Sequence, residues 1–433
     1  MNRLYALLVF ALYVLSLGLS GSKADVPNLA QLDKLVQAVW AGQPVVHSLD
    51  MVIYQEKRNP EFDPNFYRST HQSHFDHLGG GSKAELKGKA LEDRIAIEET
   101  QVELTRKKAE LGEFVKERIR ITENYVRIDR TSGNPEITLF AGTPREERIP
   151  ARPLGSETAY TRTTVYLWDA NQVRALGSSV RVRPSKGFEY DHEHKVAVAK
   201  LEDDRLLGVK PPIVRLWLSD FGIFPDLSPW ITWLGTRTDP SPSGQETLGA
   251  TGDFRDPVYR QFVPDKQKVE LLSQGKPISL GNDGQQWLQV TVVVEQANQV
   301  RLDRYEAVIS DRRTGQQYTA AVVAFDAADY SKCYQEEYYY SLQRVVPARV
   351  ISRSDFDGRG IPRQTVVLHY DFPSGRLKGL FTFRIEAIEL NCDIPFDVFE
   401  FAPPKGYQIA KSSRSPLYYY RRGEEVLAVP MED

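Results

Sequence analysis

Cysteine is almost absent: 433 residues contain two, Cys333 and Cys392. A fold stapled by many disulfides is therefore excluded, and at most one bridge remains. Histidine is sparse as well, with seven residues, yet it forms the only constellation that could hold a metal. Catalytic signatures are missing. No G-x-S-x-G, no G-x-x-x-x-G-K-[ST] and no H-E-x-x-H occurs, so an activated serine, a phosphate cradle and a zincin site have no support. The 58 acidic residues yield no carboxylate pair that stands out as a dyad. Excess positive charge is also lacking, with a formal net charge of −3, which argues against a nucleic-acid partner. The chain has no internal repeat, and no Pro/Ser/Gly linker long enough to force a domain cut.

Long apolar runs are confined to the first residues. Arg3 supplies a positive n-region, Leu4 to Leu19 is almost wholly apolar, and Ser22-Lys23-Ala24 offers small residues at the cleavage positions. This predicts a secretory signal peptide over residues 1–24, cleaved near Ala24, and a periplasmic or secreted protein that is not integral to a membrane. An uncleaved anchor is the alternative, but 16 residues fall short of the roughly 20 that a span needs. Cleavage removes Arg3 and Lys23 and no acid, leaving 53 basic against 58 acidic residues and a net charge of −5. In an exported chain an even cysteine count predicts a Cys333–Cys392 disulfide, with two buried free thiols as the alternative.

The most legible stretch runs from Val345 to Ile409. Val366, Leu368, Tyr370 and Phe372 alternate with Thr365, Val367, His369 and Asp371, giving one apolar and one mixed face of a strand. Pro373, Ser374 and Gly375 then supply a turn, and Phe381, Phe383, Ile385 and Ala387 line one side of a second strand. The alternation changes phase at Ile388 and Leu390, which requires a bulge or the end of pairing there.

The order of these features resembles the C-terminal half of the lipoprotein-localisation-factor (LolA-like) family of periplasmic carriers. The features are a strand opening near Pro347, a turn at Asp357 and Gly358, Pro362, a long hairpin, Asn391, and the ending IPFDVFEFAPPKGYQI. An N-terminal helix capped by Asn28 and Gln31, followed by a strand with Leu49, Met51 and Ile53 on one face, is also how such chains begin. The resemblance implies an α+β fold: a large curved antiparallel sheet, an incomplete β-barrel, with helices packed on its concave face. Residues 25–433 would form one enlarged LolA-like domain, or two domains.

Between the two ends the pattern is mixed. Lys57 to Lys83, broken by Pro60, Pro64 and Gly79 to Gly81, predicts a mobile loop. Residues 84–116 predict a charged helical insertion, residues 180–260 a mixed middle region, Thr164 to Leu176 a hairpin across Asp169-Ala170-Asn171, and Tyr418 to Tyr420 an edge strand. Three of the six tryptophans, Trp217, Trp230 and Trp233, fall with Phe221 and Phe224 in a Pro-broken apolar segment.

That segment and the Phe381, Phe383, Ile385 face are the candidate lining of an apolar groove, with no cofactor and no catalytic residue. The function this predicts is a non-enzymatic carrier or chaperone for lipoprotein acyl chains or another lipid-like ligand. A module on the same fold that binds envelope proteins, as envelope-stress regulators do, is the alternative. A metal-dependent enzyme using His71, His74 and His77 with His192 and His194 is the second alternative; loops collect histidines without any metal.

Overall fold

The computed structural model describes residues 24–40, 48–78, 80–122, 125–156, 229–237, 262–280, 284–297, 300–329, 331–341, 344–372 and 374–399, together with the backbone of strands between 159 and 200 and between 408 and 430. The apolar N-terminal stretch, and with it the signal peptide expected there, lies outside these residues. Among the described residues no helix is long and apolar enough to cross a membrane.

Fifteen described strands form one sheet. In chain order they are β1 (Leu49–Arg58), β2 (Glu113–Ile121), β3 (Tyr125–Gly133), β4 (Tyr160–Trp168), β5 (Pro184–Asp191), β6 (Val196–Lys200), β7 (Ile278–Leu280), β8 (Gln286–Ala297), β9 (Val300–Asp311), β10 (Gln316–Asp326), β11 (Lys332–Ser341), β12 (Arg344–Phe356), β13 (Pro362–Tyr370), β14 (Leu377–Leu390) and β15 (Gln408–Ala410). Across the sheet the order is β7-β8-β9-β10-β11-β12-β13-β14-β1-β2-β3-β4-β5-β6-β15, with two edges and no closure into a barrel. Neighbours are antiparallel except β6 and β15, which run parallel. The chain's C-terminal half thus reaches its N-terminal strand through the β14–β1 ladder, where Asn391 N donates to Ser48 O at 2.8 Å.

Burial follows the period of two that the sequence carries. On β1 Leu49, Met51, Ile53 and Gln55 are buried while the residues between them are half-buried. On β13 the buried side is Thr365 and Val367, not the apolar set Val366, Leu368 and Tyr370, which is half-buried. The phase change expected on β14 is present: Val52 pairs with Ala387 and Ile53 with Ile385, so Glu386 is the extra residue. That bulge returns Ile388 to the face of Phe383 and Ile385, and all three are buried. A Cβ at Gly379 on the same strand would stand 2.8 Å from the Phe381 ring, so a larger residue there would displace that ring.

Helices α1 (Leu29–Trp40), α5 (Pro229–Leu234) and α6 (Lys266–Ser273) pack on one face of β7 to β10. Asn28 and Gln31 cap α1 reciprocally, each side-chain oxygen accepting the other's backbone N–H at 2.9 Å. Leu32 and Leu35 of α1, Trp230 and Leu234 of α5, and Val269 and Leu272 of α6 share a core with Leu288, Val290, Tyr305 and Phe325. The Tyr305 hydroxyl donates to Gln31 O at 3.0 Å and ties α1 to the sheet.

Residues 59–112 replace a simple β1–β2 turn and hold α2 (Pro64–Thr70), α3 (Gln72–Leu78) and α4 (Lys89–Leu111). Lys57 to Lys83 is thus not the loop that its prolines suggest. Asp63 caps α2 by accepting from Asn65 N and Phe66 N, and Pro64 sits at the start of the helix, where its missing N–H costs nothing. Inside this insertion Arg94 is fully buried; it bonds Asp76 at 2.9 Å and Glu98 at 3.0 Å and lies over the Phe75 ring.

Three further expectations change. β4 pairs with β5 instead of turning back at Asp169, and Arg174–Leu176 pairs with Ser179–Arg181, which places the reversal beyond Leu176. Leu417–Arg422 forms its own ribbon with Glu425–Pro430, and Gln408–Ala410 takes the sheet edge. The two cysteines are free thiols. Register explains why: the Tyr334–Ser352 and Arg353–Thr365–Phe383 ladders put Cys333 level with Phe383 three strands away. Cys392 lies beyond β14 from there, roughly 30 Å along at ~3.3 Å per residue, far outside disulfide reach.

Candidate functional site

In an antiparallel ladder directly opposed residues point to the same face, so the pairings identify one continuous inner face. A first row runs Tyr305, Val323, Gln335, Ile351, Val367 and Phe381 across β9 to β14. The next runs Arg353, Thr365, Phe383, Gln55 and Val115 across β12, β13, β14, β1 and β2. One step further, Ile53 opposes Glu117, and Glu117 opposes Arg130.

At the β9 end this face is covered by α1, α5 and α6. At the other end Leu49, Met51, Ile53, Ile119, Ile121, Ile351, Val367, Phe383, Ile385 and Ile388 form a separate apolar cluster with Ile361. Among the described residues its members lie on sheet strands or, for Ile361, on the turn into β13, and the helices of the first cluster contribute none. Phe381 borders it, its ring 6.1 Å from Phe383 in a stack and 5.3 Å from His369 edge-on.

Polar side chains cross this apolar face as a band. Arg349 Nη2 bonds Glu337 Oε1 at 2.9 Å, Gln335 Nε2 donates to the same oxygen at 2.7 Å, and Arg353 Nη2 reaches Gln335 Oε1 at 3.5 Å. Arg353 is 4% exposed, Thr365 1% and Gln55 8%. Among the described residues Thr365 Oγ1 and Gln55 Oε1 have no hydrogen-bond partner. Leaving a buried polar atom unsatisfied costs about 1–3 kcal/mol, so this pair is a local expense in a face that packs well elsewhere.

Titrating groups in the band are shifted by burial. Burial pushes the Glu117 carboxyl up to about 7, against the pull of Arg130, whose Nη1 is 3.5 Å away. Burial holds His369 down at about 4, with the charges of Arg349 and Lys378 adding to it. The Cys333 thiol is raised to about 11, by burial first and the Asp326 charge next, so it is no activated nucleophile.

The residues expected to line a groove divide between the two clusters. Trp230 is buried beside Leu32, Leu35 and Leu234, with Trp233 packed edge-on at 5.7 Å, in the helix-covered cluster. Phe381, Phe383 and Ile385 belong to the sheet-only cluster. Trp217, Phe221 and Phe224 lie outside the described residues. His71 ends α2 stacked on Tyr67 at 4.2 Å, and His74 is exposed on α3. The His77 side chain, His192 and His194 fall outside the described residues. Gln55, Glu117, Gln335, Arg353 and Thr365 were not anticipated from the pattern of turns. Their signal is phase: Gln55 continues Leu49, Met51 and Ile53, and Glu117 interrupts Val115, Ile119 and Ile121.

No protein-family model matches the chain, and no curated protein does. Among solved structures, a LolA superfamily protein from Nitrosomonas europaea is similar over 85% of this chain and 95% of its own, at 7% sequence identity and a TM-score of 0.24. A superposition this loose establishes no shared activity.

Proposed function

We propose that this protein is an exported, non-enzymatic carrier that shelters an acyl chain or another lipid-like ligand against the inner face of its open sheet. The observation that supports the reading is the sheet-only cluster: a broad apolar surface from β12 through β14 and β1 to β2, its members 0–7% exposed, to which no helix among the described residues contributes. Each methylene laid on such a wall is worth roughly 0.8 kcal/mol, so a long chain gains enough to leave a membrane or micelle. Helices lining the concave side, and a lipoprotein as cargo, belong to the same proposal. The test is titration with a fluorescent fatty-acyl probe. Saturable uptake that a lipopeptide displaces supports the carrier, and linear, non-competitive uptake defeats it.

A second reading has its own observation. The insertion between β1 and β2 is a helical unit held by buried Arg94, Glu98 and Phe75 with half-buried Asp76, and such a helical surface suits contact with an envelope protein. Deleting residues 61–110 and joining β1 to β2 by a turn separates the two readings. Acyl binding survives in the carrier, and partner capture is lost in the interaction module.

A further inference from the structure

We infer that the buried polar row of the inner face is a head-group site, which receives the oxygen-bearing end of an acyl chain while the sheet-only cluster holds its tail. The inference rests on the carrier reading and adds to it the chemistry of the ligand's head. Three observations on neighbouring strands carry it. Thr365 and Gln55 are both more than nine-tenths buried, and Thr365 Oγ1 and Gln55 Oε1 are without a hydrogen-bond partner among the described residues. They stand in one register row, Thr365 opposite Phe383 and Phe383 opposite Gln55, so they flank a single aromatic ring on the same face. Arg353, opposite Thr365, adds a guanidinium to that row.

The placement defines what fits. Adjacent strands are about 4.8 Å apart, so Arg353 and Thr365 sit within reach of one carboxyl or ester group, and Gln55 lies about 10 Å across the sheet on the far side of Phe383. Arg353 and the Thr365 hydroxyl donate to oxygen, while Gln55 Oε1 accepts from a hydroxyl. A carboxylate can accept from Arg353 and the Thr365 hydroxyl but offers no donor to Gln55 Oε1, whereas a glyceride supplies both a carbonyl to accept and a hydroxyl to donate, and a bare hydrocarbon end supplies neither. Directly beside the row, Ile53, Ile385, Val367 and Ile351 offer only apolar contact, which sets head and tail apart on one surface.

The test compares two fluorescent probes of the same apolar character, cis-parinaric acid, which has a carboxylate, and diphenylhexatriene, which has no polar atom. Thr365→Val is nearly isosteric and removes only the hydroxyl; Gln55→Leu removes the amide. The double variant is expected to bind parinaric acid at least tenfold more weakly, to keep its affinity for diphenylhexatriene, and to melt no lower than wild type. Displacement by palmitate and by monopalmitin then shows whether a carboxylate or an ester is preferred. If the double variant loses both probes equally, or neither, the head-group site is wrong although the carrier stands; the second result is the one expected if an ordered water satisfies these atoms. If the wild-type protein binds neither probe, the carrier reading falls and this site with it.

Discussion

Replacing Glu117 by Gln isolates the energetics of the polar band. Glu117 is 4% exposed on β2, between Val115 and Ile119, with Arg130 Nη1 at 3.5 Å. Burial raises its carboxyl from 4.5 to about 7, so the folded state binds this proton more tightly than the unfolded chain does. The resulting stabilisation is complete below about pH 4.5 and is lost as the pH rises through 7. At roughly 1.4 kcal/mol per pH unit the full loss is about 3 kcal/mol, of which about 2–3 kcal/mol falls between pH 5 and pH 8. His369, held down at about 4, has the opposite slope between about 4 and 6.5, because protonation below its ordinary value costs folding energy. Urea denaturation of wild type and Glu117→Gln at both pH values cancels that contribution. The wild type should lose about 2–3 kcal/mol relative to the variant on going from pH 5 to pH 8. Parallel pH profiles would refute the assignment of Glu117 to a dry, poorly compensated position.

Arg94→Met should destabilise the β1–β2 insertion by about 1.5–3 kcal/mol, since it removes one charged hydrogen-bond partner of buried Glu98 while Lys83 at 2.9 Å and Arg68 at 3.4 Å remain; faster amide exchange across residues 64–111 with the strands unaffected is the expected pattern, and unchanged protection of α4 would contradict it. Phe383→Ala, at a ring 4% exposed in the sheet-only cluster, should weaken acyl-probe binding and cost well under the ~3–5 kcal/mol of a core Phe truncation, whereas a loss of ~3–5 kcal/mol together with no saturable probe binding would make this face closed core and leave the carrier without support. Alkylation of the unreduced, denatured protein should label both Cys333 and Cys392, and a product with neither thiol labelled would overturn the register that keeps them three strands apart.

The ends of the chain were legible because their elements are local. Alternation at Leu49, Met51 and Ile53, the reciprocal cap of Asn28 and Gln31, and the phase slip resolved by the Glu386 bulge are all written within a few residues. What escaped was set by long-range pairing. On β13 Val366, Leu368 and Tyr370 form the more apolar face, yet Thr365 and Val367 of the mixed face are the buried ones because β12 and β14 aim Ile351, Arg353, Phe381 and Phe383 at that side. The polar band is invisible for the same reason: its members come from β11, β12, β13, β1 and β2, which only the β14–β1 ladder brings side by side. Pro60 and Pro64 read as loop breakers, although Pro64 after Asp63 is a helix start.

The central claim is that the inner face shelters an acyl ligand. Native mass spectrometry of the purified protein, before and after incubation with phospholipid vesicles and removal of the vesicles, tests it most directly. The account predicts a species heavier than the bare chain by one acyl-bearing molecule, enriched by incubation and lost on adding excess palmitate. A spectrum showing only the mass of the bare chain under both conditions would contradict it.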